Sequence, residues 1–308
     1  MPLFSAFVGA AWLLAALTAS AADDYPRAPD WLLVVNQGLL VPASFAAVTT
    51  LGVVLGGPRV AAAFGISMLA LPAAGLAYSL PRYRETFLDA VLTQAMGIGD
   101  GARFTAGALL LLAVTGAILS LHDGAPTVPL AAAAGAAAGG AALLETVSAV
   151  VLLGVLPAYA LARRFVDGAV FGAVATVPLV AVALTHGLAV DLSWGAVVQT
   201  DAGLREFLWS NRLLEWLPLA GVVAAWRLSA PLALMLGGWV GGMALAAAAG
   251  QAARVDDGSF FIALIPAFPG LALLVACLPL LVPTAAATLR RREKKKPPSA
   301  APVAGPRR

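Results

Sequence analysis

Two groups of side chains in this sequence have the types and spacing for chemistry. Asp23 and Asp24 form an acidic pair immediately after a long uncharged run. Such a carboxylate can act as a general base or hold a divalent metal ion, although a solvated polar turn is the plainer reading. Arg205, Trp209, Arg212 and Trp216 recur at steps of four, three and four, which puts them on one face of a helix. Arg forks match phosphate oxygens, and Trp settles at the level of lipid headgroups, so this stripe suits either a lipid-phosphate clamp or an anchoring belt. Arg82 and Arg84 are second phosphate contacts or ordinary loop charges.

Other ionisable residues have simpler roles available. Glu145 lies inside an apolar tract, where charge is costly and often serves ion or proton coupling; otherwise it marks a helix break reached by water. His186, near the end of a span, suits a proton relay or a single interfacial hydrogen bond. Asp256 and Asp257 stand in a turn-forming VDDGS, where helix capping explains them. Cys277 is the only cysteine, which excludes an intramolecular disulfide and leaves a small apolar-like side chain. No Walker loop, GxGxxG before a helix, GxSxG or HExxH occurs.

The elements that must position these residues follow from composition. The chain has 308 residues, of which 61% are hydrophobic and 11% charged, and its mean hydropathy is +0.90. Soluble domains carry about 25% charged residues. A single core cannot hide this much hydrocarbon from water, so the expected fold is an all-α polytopic transmembrane bundle of about ten spans. The net charge of +3 does not point to nucleic acid, because the excess sits in the tail with Arg290, Arg291, Arg292, Arg307, Arg308 and all three lysines, Lys294, Lys295 and Lys296.

In order, residues 3–22 read as a retained first helix or a signal peptide ending in small residues. Residues 31–57 and 60–80 are the next spans, with Asn36, Gln37 and Pro42 inside the former and a tight turn at Gly57, Pro58 and Arg59 between them. Residues 85–97 form an interfacial helix or a short crossing, and 104–121 a span. Residues 126–162, Ala/Gly-rich, are expected to break at Gly139 and Gly140, as two short helices or as one long helix after a re-entrant segment. Arg163 and Arg164 end a helix, 168–190 spans, and 190–216 is an outer polar segment. Residues 213–226 return, Arg227 marks a turn, 228–250 spans, and 260–289 is a last span kinked by its prolines. One transmembrane domain therefore covers 1–289, and 290–308 is a basic, disordered cytoplasmic tail. Counting crossings puts Arg163, Arg164, Arg227 and the tail on one side, the positive-inside arrangement, with Asp23, Asp24 and the 190–216 segment opposite.

Residues 205–221 (REFLWSNRLLEWLPLAG) and 257–283 (DGSFFIALIPAFPGLALLVACLPLLVP) resemble the carboxy-terminal transmembrane part of bacterial GT-C-type glycosyltransferases, which use polyprenyl-phosphate sugars. Residues 79–92 (SLPRYRETFLDAVL) resemble, more loosely, the helix after their second outer loop. The resemblance implies a helical fold, an extracytoplasmic active site and a polyprenyl-phosphate sugar donor. It also implies that an acidic residue of the first outer loop acts on the acceptor, and Asp23 and Asp24 occupy that place. The longer first loop with amphipathic helices is not recognisable here. The function expected is sugar transfer at the outer face of a cell membrane. The alternatives are a transporter or flippase with Glu145, Asn36 and Gln37 along its path, or a non-catalytic membrane partner.

Overall fold

The computed structural model describes residues 36–78, 101–122, 124–186, 213–251 and 264–281. These residues are helical throughout, with short connections and no strand among them. A π-turn, Asn36–Leu40, leads into α1 (Val41–Gly56). The register changes immediately before Pro42, whose missing N–H is tolerated in a first helical turn. Then come α2 (Pro58–Tyr78), α3 (Gly101–Ser120), α4 (Thr127–Leu144), a 3₁₀ segment (Thr146–Val151), α5 (Leu152–Leu161), α6 (Phe165–His186), α7 (Leu213–Leu228), α8 (Ala230–Gln251) and α9 (Phe268–Cys277).

α3 is the axis of the bundle. Every residue from Thr105 to Ser120 is buried, and α1, α4, α8 and α9 pack around it. Close approaches between helices occur where glycine removes the side chain. Gly238 of α8 lies against the Gly154 backbone of α5, and Gly154 against the carbonyls of Leu234 and Met235. Gly135 of α4 meets Phe171 of α6, and Gly221 of α7 meets Leu274 of α9. Without a side chain at these positions the helix backbones come together closely.

The same approaches fix direction. Gly52 and Gly56 of α1 face Ala61 and Val60 of α2, so those helices form an antiparallel hairpin about Gly57, whose φ of 77° favours glycine. A Cβ at Gly56 would meet Leu228 Cδ1 at 3.6 Å, so the α1–α2 and α7–α8 turns are neighbours. Val150 lies by Gly242 and Gly154 by Met235, so α5 and α8 run antiparallel and α8 starts level with the end of α5. Ser120 bonds Tyr159, which brings the ends of α3 and α5 together. The four reversals, at Gly57, residues 121–126, residues 162–164 and Ser229, therefore share one end of the bundle, here the turn end. Asn36, Tyr78, Gly101, His186, Leu213, Gln251 and Leu264 lie at the opposite end.

The break expected at Gly139 and Gly140 does not occur. Both are buried in an uninterrupted α4, and the chain breaks instead at Glu145, which is extended at φ −142° and ψ 102°. Ala neighbours supply enough helix propensity to carry two glycines through a buried helix. The 126–162 tract thus holds two helical passes. Tyr78 and Gly101, the described residues nearest to 79–100 on either side, lie at the same end of the bundle. The proline-rich run expected as one kinked span is described within 264–281, where it is a short α-helix flanked by 3₁₀ segments. Pro266 and Pro279 lie in 3₁₀ segments, Ile265–Ala267 and Leu278–Leu281, on either side of the short α9.

The outward faces are apolar. On α6, Val166, Ala169, Ala173, Thr176, Val177 and Val180 form one exposed stripe, with Val166 70% and Val177 64% accessible. Leu153, Leu156 and Leu161 of α5, Leu219, Val223 and Trp226 of α7, Ile66 of α2 and Leu245 of α8 are exposed likewise. Outward Thr176 and Thr49 turn their hydroxyls back onto carbonyls of their own helices, at 2.9 Å to Gly172 O and 2.9 Å to Phe45 O. Charged residues among those described (Arg59, Arg103, Glu145, Arg163, Arg164, Asp167, Glu215 and Arg227) all stand within three residues of a helix end. Two helical stretches, Gly38–Gly56 and Thr127–Leu144, are by length and composition able to cross a membrane.

Candidate functional site

The chemistry that the described residues bring together divides between the two ends. At the opposite end, Arg103 in the first turn of α3 meets Glu145 after α4, with Nε 3.2 Å from Oε2. α3 starts where α4 finishes because the two form an antiparallel pair, so residues 42 apart in sequence become neighbours. A cation at a helix N-terminus opposes the helix dipole, and the Glu145 carboxylate offsets that cost. Both side chains are about a quarter exposed, at 29% and 26%, so water reaches the pair. Glu145 therefore marks a helix break at a bundle end, the simpler of the two readings open for it. His186 ends α6 at this same end.

At the turn end, Ser120 and Tyr159 meet, and Asp167 is buried one residue from Gly168, which packs onto Tyr159. Ser120 Oγ donates to Ala117 O at 2.7 Å or exchanges its hydrogen with Tyr159 Oη, also at 2.7 Å. The Tyr159 ring tilts against Phe171 at 5.8 Å, and Gly168 packs onto Tyr159 Cβ. Asp167, in the first turn of α6 and next to Gly168, is 4% exposed. A carboxylate there gains from the free N–H groups and the dipole of α6. The turn before it is a Schellman motif. Arg164 N–H donates to Tyr159 O and Arg163 N–H to Ala160 O, with Arg163 in the left-handed region at φ 57°.

Neither cluster stands out in the sequence. Arg103 carried no motif, and Asp167 showed only an acid early in a helix, a signal of capping. Ser44 Oγ, Thr115 Oγ1, Ser148 Oγ and Trp239 Nε1 are also buried, without a hydrogen-bond partner.

Asp23, Asp24, Arg82, Arg84, Arg205, Trp209 and Arg212 lie outside the described residues, as do Asp256 and Asp257. The described residues beside them have definite places. Leu213, next to Arg212, opens α7; Tyr78, four residues before Arg82, closes α2; Asn36, twelve residues after Asp24, precedes α1. All three flanks are at the end opposite the turns. Among the described residues no three His, Cys, Asp or Glu side chains gather as a metal site would require.

Cys277 is buried in α9. No family model, curated protein or solved structure matches the chain.

Proposed function

We propose that this chain is a multi-pass cell-membrane protein of ten spans that transfers a sugar from a polyprenyl-phosphate donor at its extracytoplasmic face. The observation that carries this reading is the asymmetry of the bundle. Tyr78 and Gly101, His186 and Leu213, and Gln251 and Leu264 all lie at one end, where α1 also begins, while Arg59, Arg163, Arg164 and Arg227 stand in or beside the tight turns at the other. Positive charge on short connections marks the cytoplasmic side. Nine alternating helical passes, with residues 3–22 as a tenth, then bring the acidic pair and the Arg/Trp segment to the extracytoplasmic side. Outward apolar stripes and self-satisfied threonines support hydrocarbon as the surrounding solvent.

In the transfer, Asp23 or Asp24 takes the proton of an acceptor hydroxyl as its oxygen attacks the anomeric carbon. The bond from that carbon to the phosphate oxygen breaks, and polyprenyl phosphate leaves with the electron pair. Arg205 and Arg212, with Trp209 beside them and Arg82 and Arg84 behind, hold the phosphate as its charge grows. Membranes containing the protein, given a panel of lipid-linked sugars, should show transfer that Asp23→Asn with Asp24→Asn abolishes. Undiminished turnover in that variant ends the carboxylates' role, and no transfer from any donor ends the enzyme reading.

A transporter is the second reading, supported by the partnerless buried polar atoms of Thr115, Ser148 and Trp239 inside the bundle. Acid-dependent uptake lost in Glu145→Gln would favour it over the transferase.

A further inference from the structure

We propose that Arg59 and Arg227 together hold the phosphate of an anionic phospholipid at the turn end of the bundle, with Trp226 beside it at headgroup depth. The proposal rests on the reading of the chain as a membrane bundle. Both arginines are exposed, one in the first turn of α2 and the other in the last turn of α7. Their helix ends are neighbours, since a Cβ at Gly56, just before the α2 turn, would come within 3.6 Å of Leu228 Cδ1, just after Arg227. Guanidinium groups on long side chains from two neighbouring ends can converge on one phosphate, and each fork matches its oxygens.

No carboxylate among the described residues competes for them. Glu145 and Glu215 lie at the opposite end, Asp167 is buried, and neither Arg59 nor Arg227 has an ion-pair partner among the described residues. The surface below each arginine selects the ligand class. On α7 the exposed residues leading up to Arg227 are Leu219, Val223 and Trp226; on α2 those following Arg59 are Ala62 and Ile66. A cationic tip continued by an apolar stripe of one to two turns complements an amphiphile, whose phosphate meets the tip and whose acyl chains start along the stripe. A soluble anion would use only the tip. Trp226, 51% exposed, occupies the junction, where indole rings settle in bilayers.

The full chain in neutral detergent is titrated with short-chain phosphatidylglycerol, phosphatidylcholine or inorganic phosphate. Lipid adducts are counted by native mass spectrometry, and the unfolding midpoint is followed. Phosphatidylglycerol should bind and raise the midpoint at about tenfold lower concentration than phosphatidylcholine. Inorganic phosphate should do neither. The preference should vanish in Arg59→Gln with Arg227→Gln. It should persist in the double lysine variant, which keeps the charge and serves as the folding control, and in Arg163→Gln. Equal response to the two lipids, a preference that survives the double glutamine variant, or phosphate acting as well as lipid would each overturn the proposal. A chain that stays in water without detergent and ignores vesicles of either lipid would instead overturn the membrane reading on which it rests.

Discussion

Ser120 and Tyr159 illustrate how unequal the two partners of a buried hydrogen bond can be. Ser120 Oγ has a second partner in Ala117 O, so Tyr159→Phe leaves it satisfied and should cost about 1 kcal/mol. Ser120→Ala strands the phenol in a buried site and should cost more, about 1–3 kcal/mol. Chemical denaturation of both variants in detergent checks the order. Arg163 offers a second test. Its φ of 57° strains any residue with a Cβ, so Arg163→Gly should be neutral to stabilising by about 0.5 kcal/mol, once the relief is offset by glycine's entropy. Arg163→Pro should be destabilising by about 3 kcal/mol or more, because proline fixes φ near −65° and cannot donate to Ala160 O. Equal stability of the two variants would remove the turn geometry from the argument. At this scale the sequence was partly legible. The helix end at Arg163 and Arg164 and the break at Glu145 were available as readings. The partners Arg103 and Asp167 were not, because a single Arg or Asp early in a helix reads as a solvated end whatever lies across from it.

At the scale of elements, glycines separate into those that hold helices together and those that merely occupy them. A Cβ at Gly238 would run into the Gly154 backbone, whereas one at Gly241, a single turn on, would meet nothing within 4 Å. Gly238→Ala should therefore push α8 from α5 and lower stability by about 3 kcal/mol. Gly241→Ala should raise it by about 0.5–1 kcal/mol through helix propensity alone. Thermal unfolding of the pair in one detergent decides the matter, and similar midpoints would mean that the α5–α8 approach carries no weight. The expected break at Gly139 and Gly140 failed because both lie inside a buried, Ala-rich α4 that continues through them. Glycine in a sequence signals either a hinge or a close contact, and only the neighbouring helix says which.

For the whole molecule, direction is the testable quantity. In a Cys277→Ala background, single cysteines at positions 59 and 227 should react with an impermeant thiol reagent from one side of sealed vesicles. Cysteines at positions 103 and 215 should react only from the other side. Labelling of 59 and 215 from a common side would contradict the arrangement of helix ends and, with it, the grouping of the proposed site. The alternation itself was readable from the count of apolar stretches. Two ambiguous tracts, residues 85–97 and 126–162, left open where the crossings fell, and the structure assigns two passes to the second.

Composition and charge placement by themselves pointed to helices with ionisable residues at their ends, and the described residues have that arrangement, because a segment so apolar has few places for charge except beside water. Only the tertiary structure decided which ends adjoin. It set the turn at Gly57 near Leu228, Arg103 against Glu145 and Tyr159 against Ser120. Those pairings depend on which glycines admit a neighbouring backbone, and contact between residues tens of positions apart leaves no periodic trace in a single sequence.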